Sequence, residues 1–135
     1  MELAALAVWI LTALAGLYLL VLWLAGSGLR QQATKVTAFP TALILTHPAL
    51  AVAGLGLWVG FLLTHESGYA WGAFAVLTAV ALLGFTLSTR WLGGVGRHAR
   101  GTERRFPMIA VALHGVAGIS TFVLVLLTAS MVQRF

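Results

Sequence analysis

Four long apolar segments constrain the fold of this chain more than any other feature. They span residues 3–25, 40–63, 69–87 and 107–132, and each is close to the ~20 residues that a helix needs to cross a bilayer. Only 8% of the 135 residues are charged, against about 25% in soluble proteins. The sequence therefore predicts an all-α integral membrane protein whose single domain is a bundle of four transmembrane helices in contact with the lipid bilayer.

The connections between these segments predict how the helices are arranged. Short connections favour antiparallel neighbours, so we expect an up-down-up-down bundle. In a closed ring of this kind the second and fourth helices lie diagonally opposite each other. Side chains on those two helices then face each other across the centre of the bundle.

Basic residues are concentrated in two of the connections. Seven of the eight Lys and Arg residues lie between residues 26 and 39 or between residues 88 and 106. Positive charge marks cytoplasmic loops, which predicts that both connections are cytoplasmic and that both termini lie outside. The net charge of +5 is thus interpreted as an orientation signal, and no nucleic-acid partner is expected.

One phrase occurs twice in the chain. The two copies end at His47 and His114 and read FPTALILTH and FPMIAVALH. Proline suits the first turn of a helix, so each histidine should lie seven residues into its helix, about 10 Å along the axis. The spacing of 67 residues between the copies also suggests a tandem pair of helical hairpins.

Titratable side chains inside membrane helices indicate function, because lipid offers them no hydrogen-bond partner. His47 and His114 enter from the same side, and no acidic or basic residue accompanies them within the spans. A haem iron that takes one imidazole nitrogen from each side fits this pair. With no cysteine in the chain, thiolate metal sites, iron–sulfur clusters and covalently attached haem are excluded. Ligation by two histidines fills both axial positions, which favours electron transfer over oxygen binding.

Small residues lie one or two helical turns from each histidine. We expect them to leave room for a macrocycle, although small residues also let membrane helices pack closely without any ligand. These candidate cofactor-binding residues are Ala51, Gly54, Ala117 and Gly118.

Haem carries two propionates, which should point toward the nearer, basic face. Arg90 is the best candidate to hold one, since a guanidinium forms forked hydrogen bonds with a carboxylate. Arg30 and Lys35 lie on the same face, and Tyr18 falls near the histidine depth. An interfacial anchor for Arg90 and an ordinary core tyrosine for Tyr18 are the alternatives.

Two other patterns carry structural predictions. Pro48 cannot donate to the carbonyl of Ile44, which predicts a kink, or a freed carbonyl that orients an imidazole N–H. Tryptophans toward the segment ends are typical of an interfacial aromatic belt. The five are Trp9, Trp23, Trp58, Trp71 and Trp91.

With four spans and paired intramembrane histidines, His47 and His114, the chain resembles the small four-helix b-type cytochromes of bacterial inner membranes. The resemblance implies haem b, a multi-pass location in that membrane, and exchange of electrons with quinone or a redox partner protein. Classical di-haem members of the group use four histidines at two depths. This chain has one suitable pair, so we predict one haem.

Three other functions remain open on the sequence alone. The chain could be an accessory subunit of a larger membrane complex, with the histidines hydrogen-bonded in a packed core. It could be a small transporter or proton relay, because histidine changes charge near neutral pH. A non-haem metal is the third; zinc wants about four ligands, so two-coordinate copper(I) fits better. Association into a homo-oligomer through small-residue faces such as 54–60 is also open.

Overall fold

Four α-helices form a bundle in the computed structural model, which describes residues 1–26, 40–94 and 106–132. The helices are α1 (Glu2–Ala25), α2 (Thr41–Thr64), α3 (Ser67–Gly94) and α4 (Met108–Val132). Each one is long and apolar enough to cross a membrane. The all-α prediction is confirmed.

Helix α3 extends beyond the apolar segment that predicted it, from residue 87 to Gly94. Polar side chains at and just before this extension bond to their own helix: the Thr86 hydroxyl donates to the Leu82 carbonyl and the Thr89 hydroxyl to the Thr86 carbonyl, both at 2.9 Å. Hydroxyls satisfied in this way do not interrupt the helix. The helix therefore continues where the hydropathy falls.

The two copies of the repeated phrase start their helices in the same way. The Pro40 carbonyl accepts from the Ile44 amide and the Pro107 carbonyl accepts from the Val111 amide, each at 3.1 Å. Both prolines thus lie just before the first helical residue. In consequence each histidine is the seventh residue of its helix.

The helices form a ring in chain order. The most extensive packing joins α2 to α3 and α1 to α4, and lesser contacts join α3 to α4 and α1 to α2. Contact between the first and last helices closes the ring. This leaves α2 and α4 diagonally opposite each other.

Large aromatic side chains packed against alanines fill the interior of the bundle near the two-residue turn between α2 and α3. Trp9, Trp58 and Phe61 are at most 2% exposed there. They pack with alanines that are fully buried, which lets the helix backbones approach closely. We call this cluster the aromatic core; its alanines are Ala5, Ala70, Ala73 and Ala129.

The tryptophans do not form the expected interfacial belt. Trp9, Trp23 and Trp58 are fully or almost fully buried, so the belt interpretation is wrong for these three. Gly54 shows the physical reason, because a Cβ built on it would lie 3.0 Å from Cζ2 of Trp9. Because glycine has no side chain, it leaves interior space on the facing helix, and an indole ring fills that space.

Large apolar side chains cover the outside of the bundle. Leu3, Phe85 and Ile109 are 70–75% exposed. Such a surface is unfavourable in water over this extent. The apolar exterior suggests contact with a lipid bilayer.

Candidate functional site: two facing histidines

The structure brings His47 and His114 together across the bundle. Their ring centroids are 6.1 Å apart and the ring planes meet at 78°. His47 lies on α2 and His114 on α4, and both side chains are half-buried. The two candidate ligands therefore share one level of the interior.

A backbone carbonyl orients each ring. Nδ1 of His47 donates to the Val80 carbonyl on α3 at 3.0 Å, and Nδ1 of His114 donates to the Thr12 carbonyl on α1 at 2.9 Å. A carbonyl oxygen can only accept, so the proton of each neutral imidazole lies on Nδ1. Nε2 of each ring then carries a free lone pair, the state typical of a metal-binding histidine with a second hydrogen-bond partner.

Two glycines make room for the rings. A Cβ on Gly16 would lie 2.8 Å from Cε1 of His114, and a Cβ on Gly84 would lie 3.0 Å from Cε1 of His47. The first distance is shorter than a carbon–carbon contact allows, and the second is tighter than an ordinary one. Each imidazole thus rests on a stretch of helix that only glycine leaves open.

The surroundings of the two rings are alike. Gly16 and Gly84 are 68 residues apart, as are Thr12 and Val80, and the histidines themselves are 67 apart. Each ring bonds a carbonyl four residues before the glycine on which it rests. We call these two rings, their two glycines and their two carbonyl partners the histidine layer.

A hydroxyl pair distinguishes the His114 side. Thr12 Oγ1 and Thr121 Oγ1 are 3.0 Å apart, and Thr121 is 1% exposed. Thr121 also donates to the Ala117 carbonyl at 2.9 Å. The matching position on the His47 side is Val80, which has no hydroxyl, so the two rings differ in the polarity beside them.

Comparisons with protein-family models, with curated proteins and with solved structures find no match to this chain. The function is therefore argued from the geometry of the site.

The four small residues predicted to leave room lie close to the histidine layer, in different settings. Ala51 packs against the aromatic core, and the space beside Gly54 is filled by the Trp9 ring and by Val76, whose Cγ1 would lie 3.3 Å from an added Cβ. Ala117 and Gly118 are half-buried on α4, and a Cβ on Gly118 would meet only a Thr12 methyl, at 3.8 Å.

Two of the residues predicted to hold propionates lie at the surface of the bundle. Tyr18 is 50% exposed on α1, and Arg90 is exposed on α3. Arg30 and Lys35 lie outside the described residues. A role for any of these four toward a carboxylate stays a prediction.

A second buried cluster borders the histidine layer on the side of the basic connections. Trp23, Ile44 and Trp91 form it, and we call it the tryptophan layer. Trp23 lies seven residues beyond Gly16, and Trp91 lies seven beyond Gly84. Partly buried neighbours from α1, α3, α4 and the residues before α4 complete it: Leu20, Leu87, Phe106 and Val111.

Sequence reasoning missed the groups that hold the rings. Helix α2 is continuous through Pro48, and the carbonyl that orients His47 is that of Val80 rather than that of Ile44. A backbone acceptor has no side-chain signature. The spacing of Gly16 and Gly84 is a usable signal, because it matches that of the histidines to within one residue.

Proposed function

We propose that this protein is a membrane b-type cytochrome that binds one haem between His47 and His114 and exchanges electrons with quinone or with a partner protein. One observation carries the proposal. Two imidazoles face each other in the interior of an apolar bundle, each with Nδ1 bonded to a carbonyl and Nε2 left free.

The distance between the rings fits two nitrogens on one metal. A metal–imidazole bond is about 2.0–2.1 Å long and the ring centre lies about 1 Å farther on, so two ligands on opposite sides need centroids ~6 Å apart. The observed separation is 6.1 Å. A ring pair that only packs edge to face is also found at such distances, so it is the free Nε2 atoms that favour a metal.

Haem suits this donor set better than a bare ion. Among the residues that the structure describes, there is no group of three or more His, Cys, Asp and Glu side chains able to hold a metal. Haem supplies four ring nitrogens itself, so the protein needs to provide two ligands at most. A haem held by His47 and His114 would supply one-electron redox chemistry.

An up-down-up-down arrangement in the bacterial inner membrane, with both termini outside, belongs to the same proposal. It is supported by pairs of contacts between α2 and α3: Gly60 meets Tyr69, Gly54 meets Val76, and Gly84 meets His47. Partners earlier in α2 lie later in α3, as antiparallel helices require. Basic residues in the two long connections support a cytoplasmic location for the histidine end.

The decisive experiment is an absorption spectrum of the protein purified from membranes in detergent, oxidised and then reduced with dithionite. The proposal expects a sharp Soret band and split visible bands on reduction, with one haem per chain. Electron exchange is then tested by stopped-flow reduction with a soluble quinol. The transport alternative predicts a proton or metal flux into liposomes without any cofactor.

A colourless, folded protein that takes up no added haem would overturn the proposal. Such a result would favour the accessory-subunit reading, because each imidazole already has a carbonyl partner and is stable in a core without a metal.

A further inference from the structure

The indole N–H of Trp23 is buried without an acceptor. Trp23 is 0% exposed, and its Nε1 has no hydrogen-bond partner among the residues that the structure describes. An unpaired buried donor costs on the order of 1–3 kcal/mol, and native proteins rarely keep one without a reason. A ligand that brings the acceptor is such a reason.

The place of Trp23 connects it to the histidine layer. Seven residues make almost two full turns, so Trp23 lies on the same face of α1 as Gly16 and about 10 Å along the axis from it. The ring of His114 rests on Gly16. On α1, Trp23 is therefore the first fully buried side chain after the histidine layer on the way to the basic connections.

The apolar side chains that pack against Trp23 in the described part of the chain cannot serve its N–H. Ile44, Leu20, Leu87 and Val111 are hydrocarbon, so they offer no acceptor. A carboxylate is the strongest acceptor that a bound group could bring, and it needs donors of its own once removed from water. The two carboxylate arms of haem b leave the macrocycle from one edge.

We propose that Nε1–H of Trp23 donates a hydrogen bond to a carboxylate arm of the haem held by His47 and His114. This bond sets the orientation of the macrocycle, with its carboxylate edge toward the basic connections. The inference rests on the proposed function and names the residue that would hydrogen-bond the carboxylate edge of the haem.

The chain supplies a matched control. Trp71 Nε1 is also buried without a partner, but Trp71 packs against the aromatic core near the start of α3. Changing either residue to Phe removes the same N–H and leaves an aromatic ring. Only the variant in the tryptophan layer should affect the cofactor.

The test is a binding cycle with two probes, haem b and its dimethyl ester, in which both carboxylates are masked. Detergent-purified protein stripped of haem is titrated with each probe, for the wild type, Trp23→Phe and Trp71→Phe. We expect Trp23→Phe to weaken haem binding roughly tenfold or more, as for a hydrogen bond to a charged group. It should weaken binding of the ester far less, and Trp71→Phe should change neither affinity.

Two results would overturn the inference while leaving the proposed function intact. One is an equal loss for haem and ester in Trp23→Phe, which indicates lost packing. The other is an unchanged affinity for haem in that variant. If the wild type instead binds neither probe with a low-spin spectrum, the proposed function itself fails and the inference falls with it.

A second measurement needs no variant to fold. In ¹⁵N-labelled wild-type protein, the Trp23 indole N–H signal should move downfield when reduced low-spin haem binds, because the proton gains an acceptor. The Trp71 signal should stay in place. A Trp23 signal that shifts equally with haem and with the ester contradicts a bond to the carboxylate.

Discussion

The aromatic core and the histidine layer occupy different lengths of the same four helices and fill the interior in different ways. In the aromatic core, Trp9, Trp58 and Phe61 pack against alanines, and Trp58 also donates to the Glu2 carbonyl at 3.4 Å. In the histidine layer the small residues are glycines, and what they admit is a polar ring tied to a neighbouring backbone. The aromatic core is thus filled by large apolar side chains, whereas the histidine layer positions two imidazole rings.

This contrast also bears on how many cofactors the chain holds. A second ligand pair, at a different depth on α2 and α4, would have to occupy interior positions such as those of Trp58 and Val125. These two residues are 67 residues apart, and both are 0% exposed. Neither side chain can bind a metal. The filled aromatic core therefore leaves no room for a second ligand pair there, in keeping with the single haem that we propose.

The largest expected effect comes from removing a ligand. His47→Ala or His114→Ala should each abolish the low-spin six-coordinate spectrum, since residues 1–26, 40–94 and 106–132 hold no third histidine at that level. His65→Ala, in the exposed turn between α2 and α3, is the control and should leave the spectrum unchanged. Absorption spectra of the reduced proteins measure this, and an unaltered spectrum in both core variants would falsify the ligand assignment.

Truncating a side chain in the aromatic core should lower the stability of the protein but leave its haem spectrum unchanged. Phe61→Ala leaves a cavity at a fully buried site and is expected to lower the free energy of unfolding by about 3–5 kcal/mol. The haem spectrum of the protein that remains folded should stay low-spin. Leu63→Ala, at a side chain 79% exposed, serves as control. Denaturation in mixed micelles gives the stabilities, and a spectral change in Phe61→Ala would mean that the two regions are coupled.

Filling the glycine contacts should disturb the histidine layer without removing a ligand. Gly16→Ala and Gly84→Ala place a methyl 2.8 and 3.0 Å from an imidazole carbon, and such overpacking costs about 1–3 kcal/mol. We expect weaker haem binding, more so for Gly16→Ala, measured by titration of haem-free protein. Gly56→Ala has open space around its new Cβ and should bind normally. Equal affinities in all three variants would show that the rings move freely.

The smallest effect concerns the hydroxyl pair beside His114. Thr121→Val removes the contact to Thr12 and should cost about 0.6 kcal/mol, the average for such bonds between membrane helices. Ser120→Ala is the control, because Ser120 is exposed and bonds only its own helix. Thermal denaturation of both variants measures the loss. A cost above that of Gly16→Ala would place the hydroxyl pair among the main supports of the site.

Much of the fold was readable from hydropathy, since lipid requires long uninterrupted helices. The histidine pair was readable as well, because two phrases with the same Phe-Pro start and the same length set His47 and His114 at matching depths. The partners of the rings were not, because the carbonyls of Thr12 and Val80 belong to residues whose side chains say nothing about their backbone. Trp23 was misread for a related reason: a tryptophan near a segment end is typical of the interface, and only the packing of four helices shows it to be interior.

The two Nδ1 bonds have a mechanical consequence. His47 on α2 is braced by α3, and His114 on α4 is braced by α1, so a single atom bound to both rings would clamp all four helices at one crossing. Loss of that atom would loosen first the contacts of α1 with α2 and of α3 with α4, which are the less extensive ones in the ring. Limited proteolysis should thus report whether the clamp is closed.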